Sequence, residues 1–151
     1  MRAVIQRVNS ACCRVEGEIA GQIGPGLLVF LGIEKTDTAD DLAWLAQKVC
    51  KVRVFEDEAG KMNLPVSEVG GGVLVISQFT LYGNLKKGTR PSFNRSAPPD
   101  MAIPLYEAFI KAVSTDLGKP VPAGIFGADM KIDAANDGPV TLILDSQQRD
   151  F

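Results

Sequence analysis

Four short apolar runs rich in valine and isoleucine fill the first 33 residues of the chain, and they limit the folds it can adopt. They cover residues 3–8, 12–15, 19–23 and 27–33. Runs of this length and composition are typical of β-strands. The turn formers Glu16-Gly17 and Gly24-Pro25-Gly26 lie between the later runs and favour tight reversals. The pattern predicts an antiparallel meander at the start of the fold.

Two stretches with helical spacing follow. The first helix is predicted over residues 38–52, and the second has apolar residues at helical spacing from Leu105 to Val113. Pro104 predicts that the second helix starts or is kinked there, and its pattern fades by Gly118. Further strands are predicted at residues 52–55, 73–76, around Val121, at 130–132 and at 140–144, with a polar loop at 80–99 and a polar tail at 146–151.

The length and composition are those of one globular domain. The chain has 151 residues, of which 46% are hydrophobic and 23% charged, as in ordinary compact domains. We therefore predict a single domain over residues 1–151. The predicted fold class is α/β, with a mixed, largely antiparallel, barrel-like β-sheet flanked by two helices.

The residue types that are missing exclude several kinds of chemistry. Histidine is absent, and the cysteines are Cys12, Cys13 and Cys50. A zinc site would lack ligands, so we expect no metal and no other cofactor. Without histidine, a Ser-His or Cys-His nucleophile pair cannot form.

Cysteine usage and hydropathy predict where the protein works. The odd cysteine count indicates no disulfide framework and favours the reducing cytoplasm. The longest apolar run, near residues 27–31, is far shorter than the ~18 residues of a membrane span. The first residues have no apolar signal core. We therefore expect a cytoplasmic protein without a membrane partner.

Positive charge is concentrated in one loop. Residues 84–95 contain Lys86, Lys87, Arg90 and Arg95 without an acidic residue, although the chain has a net charge of -2. Such a cluster can bind a few phosphates, while the acidic remainder disfavours broad duplex binding. A solvated loop is the alternative, and charge alone favours that alternative.

Two polar segments lie at predicted strand ends. Residues 77–81 (S-Q-F-T-L) follow the strand at 73–76, and residues 136–141 (N-D-G-P-V-T) precede the last strand. Strand ends often carry functional groups. Taken singly, the first segment is better explained by local hydroxyl-to-backbone bonds and the second by a turn.

Together the segments resemble the D-aminoacyl-tRNA deacylase family. Residues 77–81 match its S-Q-x-T-L motif, residues 136–141 match N-x-G-P-x-T, and residues 88–93 (G-T-R-P-S-F) match a third familiar segment. The resemblance extends from residues 1–8 to residues 144–146, with departures at Cys12-Cys13 and at residues 83–85. Phe79 favours the D-specific branch over related editing enzymes that carry methionine there.

The resemblance implies a homodimeric ester hydrolase that acts on tRNA in translation quality control. Family members release a D-amino acid, or glycine, as from glycyl-tRNA mischarged on tRNA(Ala). The implied catalytic residues are Ser77, Gln78, Phe79 and Thr80, with oxyanion donors from the backbone around Phe79 and Thr80. A water assisted by the ribose 2′-hydroxyl is the preferred attacker. Thr80 is the alternative nucleophile, but no adjacent base is evident.

The resemblance also implies how substrates are held and selected. Gly138 and Pro139 would form a cis Gly-Pro gate inserted into the partner subunit's site, and the set for substrate binding and chiral selection is completed by Asn136, Thr141 and Met130. The implied tRNA-binding residues are Lys86, Lys87 and Arg90. Two rival functions stay open: an editing hydrolase of relaxed chirality, and a noncatalytic nucleic-acid-binding module.

Overall fold

The computed structural model of the protein describes residues 1–150. One five-stranded mixed sheet, one two-stranded hairpin and two α-helices make up the described fold. In chain order the elements are β1 (Arg2–Val15), β2 (Glu18–Ile23), β3 (Gly26–Gly32), α1 (Ala39–Lys51), β4 (Arg53–Glu56), β5 (Met62–Pro65), β6 (Gly72–Ser77), a 3-10 turn (Phe79–Tyr82), α2 (Pro99–Leu117) and β7 (Met130–Asp145).

The long strand β1 organises the sheet. It pairs antiparallel with β7 along one edge. Along its other edge it pairs antiparallel first with β3 and then with β2. β3 in turn pairs parallel with β6. The change of partner halfway along β1 curls the sheet into a half-barrel, which confirms the predicted fold class.

Both faces of the sheet are covered by apolar side chains. One buried cluster joins alternate residues of β1 and β3, such as Ile5 and Val29, to Leu45 of α1 and Phe109 of α2. A second cluster, which includes Leu28, lies on the opposite face, because successive strand residues point to opposite sides. Each fully buried side chain of this size contributes about 1.5–3 kcal/mol.

Several predicted strands differ from those observed. Residues 3–8 and 12–15 form one continuous strand, since the second half of β1 has its own partner in β2. Residues 130–132 and 140–144 likewise join into β7. The four-residue strand β5 was not predicted, because it ends in a proline and shows no alternation. Around Val121 no strand forms among residues 1–150; a single bridge joins Val75 to Ala123.

The second helix starts earlier than its sequence pattern suggests. α2 begins at Pro99, not at Pro104, and ends before Gly118, which takes a left-handed conformation. Proline is accommodated in the first helical turn, where its missing N–H is not needed. Pro104 lies inside the helix, whose buried residues Tyr106 and Phe109 pack against the core.

Candidate active site

The polar segment that follows β6 folds into the 3-10 turn. Ser77 ends β6, and the Gln78 amide donates to the Leu31 carbonyl at 2.8 Å, which seats the turn beside the end of β3. Gly32 permits this close approach, since a Cβ there would lie 3.1 Å from the Gln78 carbonyl oxygen. The first amides of a helical turn have no acceptor within it. Residues 1–150 supply no other acceptor to the N–H groups of Phe79 and Thr80.

The Thr80 hydroxyl has an amide as its neighbour. The Gln78 side chain donates a short hydrogen bond to Thr80 Oγ1. A primary amide is not basic enough to remove the proton of a hydroxyl group. Gln78 therefore cannot act as the general base that a threonine nucleophile requires. Within the described part of the chain, the geometry thus favours a positioning role for Thr80.

A cavity of about 300 Å³ opens beside the turn. Ser77, Gln78, Phe79 and Met130 line it. Its apolar walls come from both core clusters, and they include Leu31, Ile76, Phe126 and Ile132. A concave, mostly apolar site with a few polar lining groups has the character of a small-molecule pocket.

Two residues that the sequence patterns did not single out shape this cavity. Tyr106 lines it and donates a hydrogen bond from its hydroxyl to the Val75 carbonyl at 3.1 Å. Burial raises the pKa of Tyr106 to about 12, which keeps the donor protonated at neutral pH. Gly124 lies behind Met130, and a Cβ there would lie 2.4 Å from the Met130 Sδ atom. Tyr106 follows the helical pattern and Gly124 lies in a loop, so neither carries a local signal.

The segment of residues 93–96 packs against the turn. The Phe93 ring meets the Phe79 ring edge to face, with centroids 5.0 Å apart. The Ser96 hydroxyl donates to the Phe79 carbonyl at 2.9 Å. The Arg95 guanidinium lies 5.4 Å from the centre of the Tyr82 ring. These contacts brace both ends of the turn.

A group of charged side chains fixes the far end of the turn. The guanidinium groups of Arg2 and Arg95 lie 5.0 Å and 5.4 Å from the centre of the Tyr82 ring. Arg95 Nε donates to Glu34 Oε1 at 2.5 Å, and this hydrogen bond raises the pKa of Arg95. Arg2 bridges the Leu81 carbonyl and Asp145. Burial alone would raise the pKa of Asp145, but hydrogen bonds from the Gln147 amide and from Arg2 outweigh it and lower that pKa.

The second polar segment forms a bulge in β7. Gln6 pairs with Thr141 and Val8 pairs with Asn136, so residues 137–140 of β7 lie opposite Arg7 alone. The peptide bond between Gly138 and Pro139 is cis, and both residues are exposed. Gly138 has a φ of 120°, in a region that favours glycine.

The side chain of Arg7 contacts the bulge and holds it in place. Its guanidinium is almost fully buried, with 6% of the residue exposed. Nε contacts the Asp137 carbonyl at 3.3 Å and the Asp137 carboxylate at 3.0 Å, and Nη1 donates to the Val54 carbonyl at 2.6 Å. The bulge is therefore tied to the hairpin of β4 and β5.

The basic loop, residues 84–95, has an ordered base and an exposed tip. Asn84 and Ser92 exchange backbone hydrogen bonds of 2.8 and 3.0 Å. Lys86, Lys87 and Arg90 are exposed on the tip. Their charges thus face solvent next to the segment that braces the turn.

Possible metal ligands, the cysteines and the apolar character of the helices can be described for residues 1–150. No group of three or more histidine, cysteine, aspartate or glutamate side chains there is arranged to hold a metal ion. The cysteines are free, and burial raises the pKa of Cys50 to about 11. None of the helices in this range is long and apolar enough to cross a membrane.

Comparison with known proteins assigns the family. A family model described as D-Tyr-tRNA(Tyr) deacylase matches residues 4–145. The chain belongs to the D-aminoacyl-tRNA deacylase family. The curated D-aminoacyl-tRNA deacylase of Opitutus terrae is 56% identical over 150 residues, which cover 99% of this chain and all of the relative. The curated deacylase of Geobacter sulfurreducens is 55% identical over 99% of this chain and 97% of its own.

Two solved structures share the architecture of the family. The c-Myc DNA unwinding element binding protein superposes with a TM-score of 0.89 at 38% identity, covering 96% of this chain and 98% of that one. A probable eukaryotic D-amino acid tRNA deacylase superposes with a TM-score of 0.82 at 18% identity, over 95% and 98% of the two chains. The second likeness concerns the fold alone.

The structure brings some of the predicted site residues together and separates others. Ser77, Gln78, Phe79 and Met130 share the cavity, and Thr80 follows directly in the 3-10 turn. The residues of the second deacylase motif do not line this cavity within one chain; they are Asn136, Gly138, Pro139 and Thr141. The roles of all these residues stay predictions.

Proposed function

We propose that this chain hydrolyses the ester of D-aminoacyl-tRNA and releases the free D-amino acid and tRNA, as a quality-control step of translation in the cytoplasm. The observation that carries the proposal is the cavity of about 300 Å³ beside the Phe79 and Thr80 amides. It occurs in a chain more than half identical to proteins named as D-aminoacyl-tRNA deacylases. A mostly apolar cavity with a few polar lining groups is suited to the aminoacyl end of a charged tRNA.

The turn supplies the elements of ester hydrolysis without histidine. The N–H groups of Phe79 and Thr80 stabilise the negative charge that develops on the ester carbonyl oxygen. One such donor is worth roughly 2.7–4 kcal/mol. A water forms the new bond to the carbonyl carbon, assisted by the substrate's own ribose 2′-hydroxyl. The ester bond to ribose breaks, and the proton from the water ends on the released ribose oxygen. The Gln78 contact leaves Thr80 without a base, which supports this water over a threonine nucleophile.

Chiral selection is assigned to Gly138 and Pro139 acting on the cavity of a second copy of the chain. Support comes from the outer edge of β7, where Leu142 and Ile143 beside the bulge are 38% and 45% exposed. A second copy would cover this apolar edge and place its own bulge near the first copy's cavity. Rejecting an L-substrate a thousandfold takes about 4 kcal/mol of differential free energy. A buttressed backbone opposes an L side chain better than a mobile side chain can. Glycine has no side chain to exclude, so glycyl-tRNA(Ala) is included among the substrates.

Binding of the acceptor end of tRNA is assigned to the basic loop. Lys86, Lys87 and Arg90 on its exposed tip would bind phosphates of the acceptor end. The tip lies only a few residues from Phe93, which contacts Phe79. Phosphate binding there would bring the ester towards the turn.

Side-by-side hydrolysis of D-tyrosyl-tRNA and L-tyrosyl-tRNA tests the function. The expected result is release of D-tyrosine at least a thousandfold faster than L-tyrosine, together with hydrolysis of glycyl-tRNA(Ala). Comparable rates on both enantiomers would instead indicate an editing hydrolase of relaxed chirality. A dimer in analytical ultracentrifugation is expected, and a strictly monomeric active enzyme would contradict the gate across subunits.

The Thr80→Ala variant tests the chemistry, with Thr80→Ser as its control. Both variants are expected to retain substantial deacylation, because the backbone amide is preserved. Two results would instead indicate that Thr80 is the nucleophile. One is loss of activity in a folded Thr80→Ala variant together with activity in Thr80→Ser, and the other is an acyl-enzyme trapped on the wild type.

A second candidate function follows from one relative. The c-Myc DNA unwinding element binding protein is named for a DNA element, and it shares 38% identity with this chain. Noncatalytic nucleic-acid binding would appear as affinity for DNA with a steep salt dependence and without hydrolysis of any aminoacyl ester. The net charge of -2 and the small basic loop favour the deacylase.

A further inference from the structure

The carbonyl group between Phe79 and Thr80 is held from outside the turn. Its oxygen accepts the hydrogen bond from Ser96 Oγ at 2.9 Å. The peptide bond that carries this carbonyl also carries the Thr80 N–H, and it is trans. In a trans peptide the C=O and the N–H point in opposite directions in one plane. A hydroxyl that fixes the direction of the carbonyl therefore also fixes the direction of the Thr80 amide.

Ser96 is itself held in a defined position. The backbone on either side of it pairs with the segment that follows β3: the Lys35 amide donates to the Arg95 carbonyl at 3.1 Å, and the Ala97 amide donates to the Ile33 carbonyl at 2.9 Å. The Ser96 amide donates to the Phe93 carbonyl at 3.0 Å. Ser96 thus lies in a stretch of backbone that is hydrogen-bonded on both sides, and not in a free loop.

The surroundings restrict how the peptide between Phe79 and Thr80 can turn beside the cavity. Phe79 and Ala97 line the cavity, whereas Ser96 and Thr80 are not part of its walls. The Phe93 ring against the Phe79 ring limits rotation of residue 79. With the carbonyl engaged by Ser96, the Thr80 N–H is directed to the opposite side of the turn from residue 96.

We propose that Ser96 is a positioning residue that orients the Thr80 amide as an oxyanion donor. The proposal rests on the deacylase function proposed above. Ser96 contacts neither substrate nor reacting atoms; it acts through the Phe79 carbonyl. Loss of its hydroxyl leaves the donor present but free to turn away, so the chemical step slows while substrate binding is kept.

The test compares Ser96→Ala with two matched variants. Ser96→Thr keeps the hydroxyl. Ser114→Ala removes a similar bond elsewhere, because Ser114 Oγ donates to the Lys119 carbonyl at 2.7 Å at the end of α2. Measured for each are kcat and KM on D-tyrosyl-tRNA, the melting temperature, and the amide resonance of Thr80 in the substrate-free protein.

Ser96→Ala is expected to lower kcat by about tenfold, the size of one neutral hydrogen bond, with KM unchanged and the Thr80 amide resonance shifted. Ser96→Thr and Ser114→Ala are expected to keep the wild-type kcat. A wild-type kcat in Ser96→Ala, a loss confined to KM, or an equal loss in Ser114→Ala would overturn the proposal. If the wild type hydrolyses no D-aminoacyl-tRNA, the deacylase function fails. The Thr80 resonance then still decides the positioning: an unmoved resonance in Ser96→Ala refutes it.

Discussion

Replacing Arg7 with methionine should weaken both the fold and the chiral selection. Methionine keeps the apolar volume of the side chain but removes the contacts to Asp137 and the bond to the Val54 carbonyl. Bonds to a charged group contribute about 1.5–3 kcal/mol each. The Asp137 side chain is 46% exposed and can form hydrogen bonds with water in the variant. The contribution of the Arg7–Asp137 contacts to stability is therefore reduced. The expected loss is about 3 kcal/mol, which lowers the melting temperature of a domain of this size by about 6–12 °C.

Arg14→Met is the matched control for this experiment. Arg14 also joins β1 to β7, through Asp133 at 2.5 Å, but the two side chains are 41% and 75% exposed. An exposed pair contributes about 0–1 kcal/mol. Arg14→Met should therefore melt close to the wild type.

Chiral selection gives the second measurement on the Arg7 variant. Without the guanidinium the bulge loses its support, and the ratio of D- to L-tyrosyl-tRNA hydrolysis should fall at least tenfold, about 1.4 kcal/mol of the roughly 4 kcal/mol that the gate requires. The reasoning is refuted if Arg7→Met melts like Arg14→Met, or if a folded Arg7→Met enzyme keeps the wild-type ratio.

Three further predictions follow. Replacing Lys86, Lys87 and Arg90 together with alanine should lower the magnitude of the slope of log affinity for tRNA against log salt concentration by about 2. An unchanged slope would indicate that the basic loop is a solvated surface that does not bind tRNA. Gly138→Ala should lower the free energy of unfolding by about 1–3 kcal/mol, because φ is 120° and the new Cβ would lie 2.9 Å from Val140 Cγ2. Gly17→Ala is the control: Gly17 also has a positive φ, but nothing lies within 4 Å of a Cβ there, so chemical denaturation should show a smaller loss. Asp145 has a lowered pKa in the fold, so its stabilisation is present above the ordinary carboxyl pKa and is lost as the pH falls through the folded pKa; Asp145→Asn should remove that part of the acid dependence in unfolding titrations, and an unaltered acid dependence would contradict the assignment.

Elements with local signals were predictable from the sequence. α1 begins after Thr38, whose side chain and that of Asp41 form a capping box, and these residue types at this spacing mark helix starts. The apolar runs predicted β2, β3 and β6 close to their observed bounds, and they predicted the two ends of β1 as separate strands. In these elements the local conformational preference and the pattern of burial agree, so the periodicity of apolar residues is sufficient to predict them.

Elements that depend on distant partners were not predictable. β5 exists because Phe55 of β4 lies opposite Leu64, and the two halves of β7 are one strand because β1 runs beside both. Nothing local in a run of residues states which strand will lie beside it. Sequence patterns likewise could not single out Tyr106, Gly124 or Ser96, whose contacts join segments far apart in the chain.

The same dependence on distant partners explains why the S-Q-F-T-L segment favoured a bland interpretation when taken singly. Its residues make a strand end with hydroxyls, and many strand ends contain such residues. What sets this one apart is contributed from elsewhere: the space left by Gly32, the guanidinium of Arg2 on the Leu81 carbonyl, and the Ser96 hydroxyl on the Phe79 carbonyl. Preorganised donors are effective because their direction is fixed before the substrate arrives. The motif therefore identifies where the chemistry is proposed to occur, while the orientation of its amides is a property of the whole fold and would be lost if the segment were moved to the end of another strand.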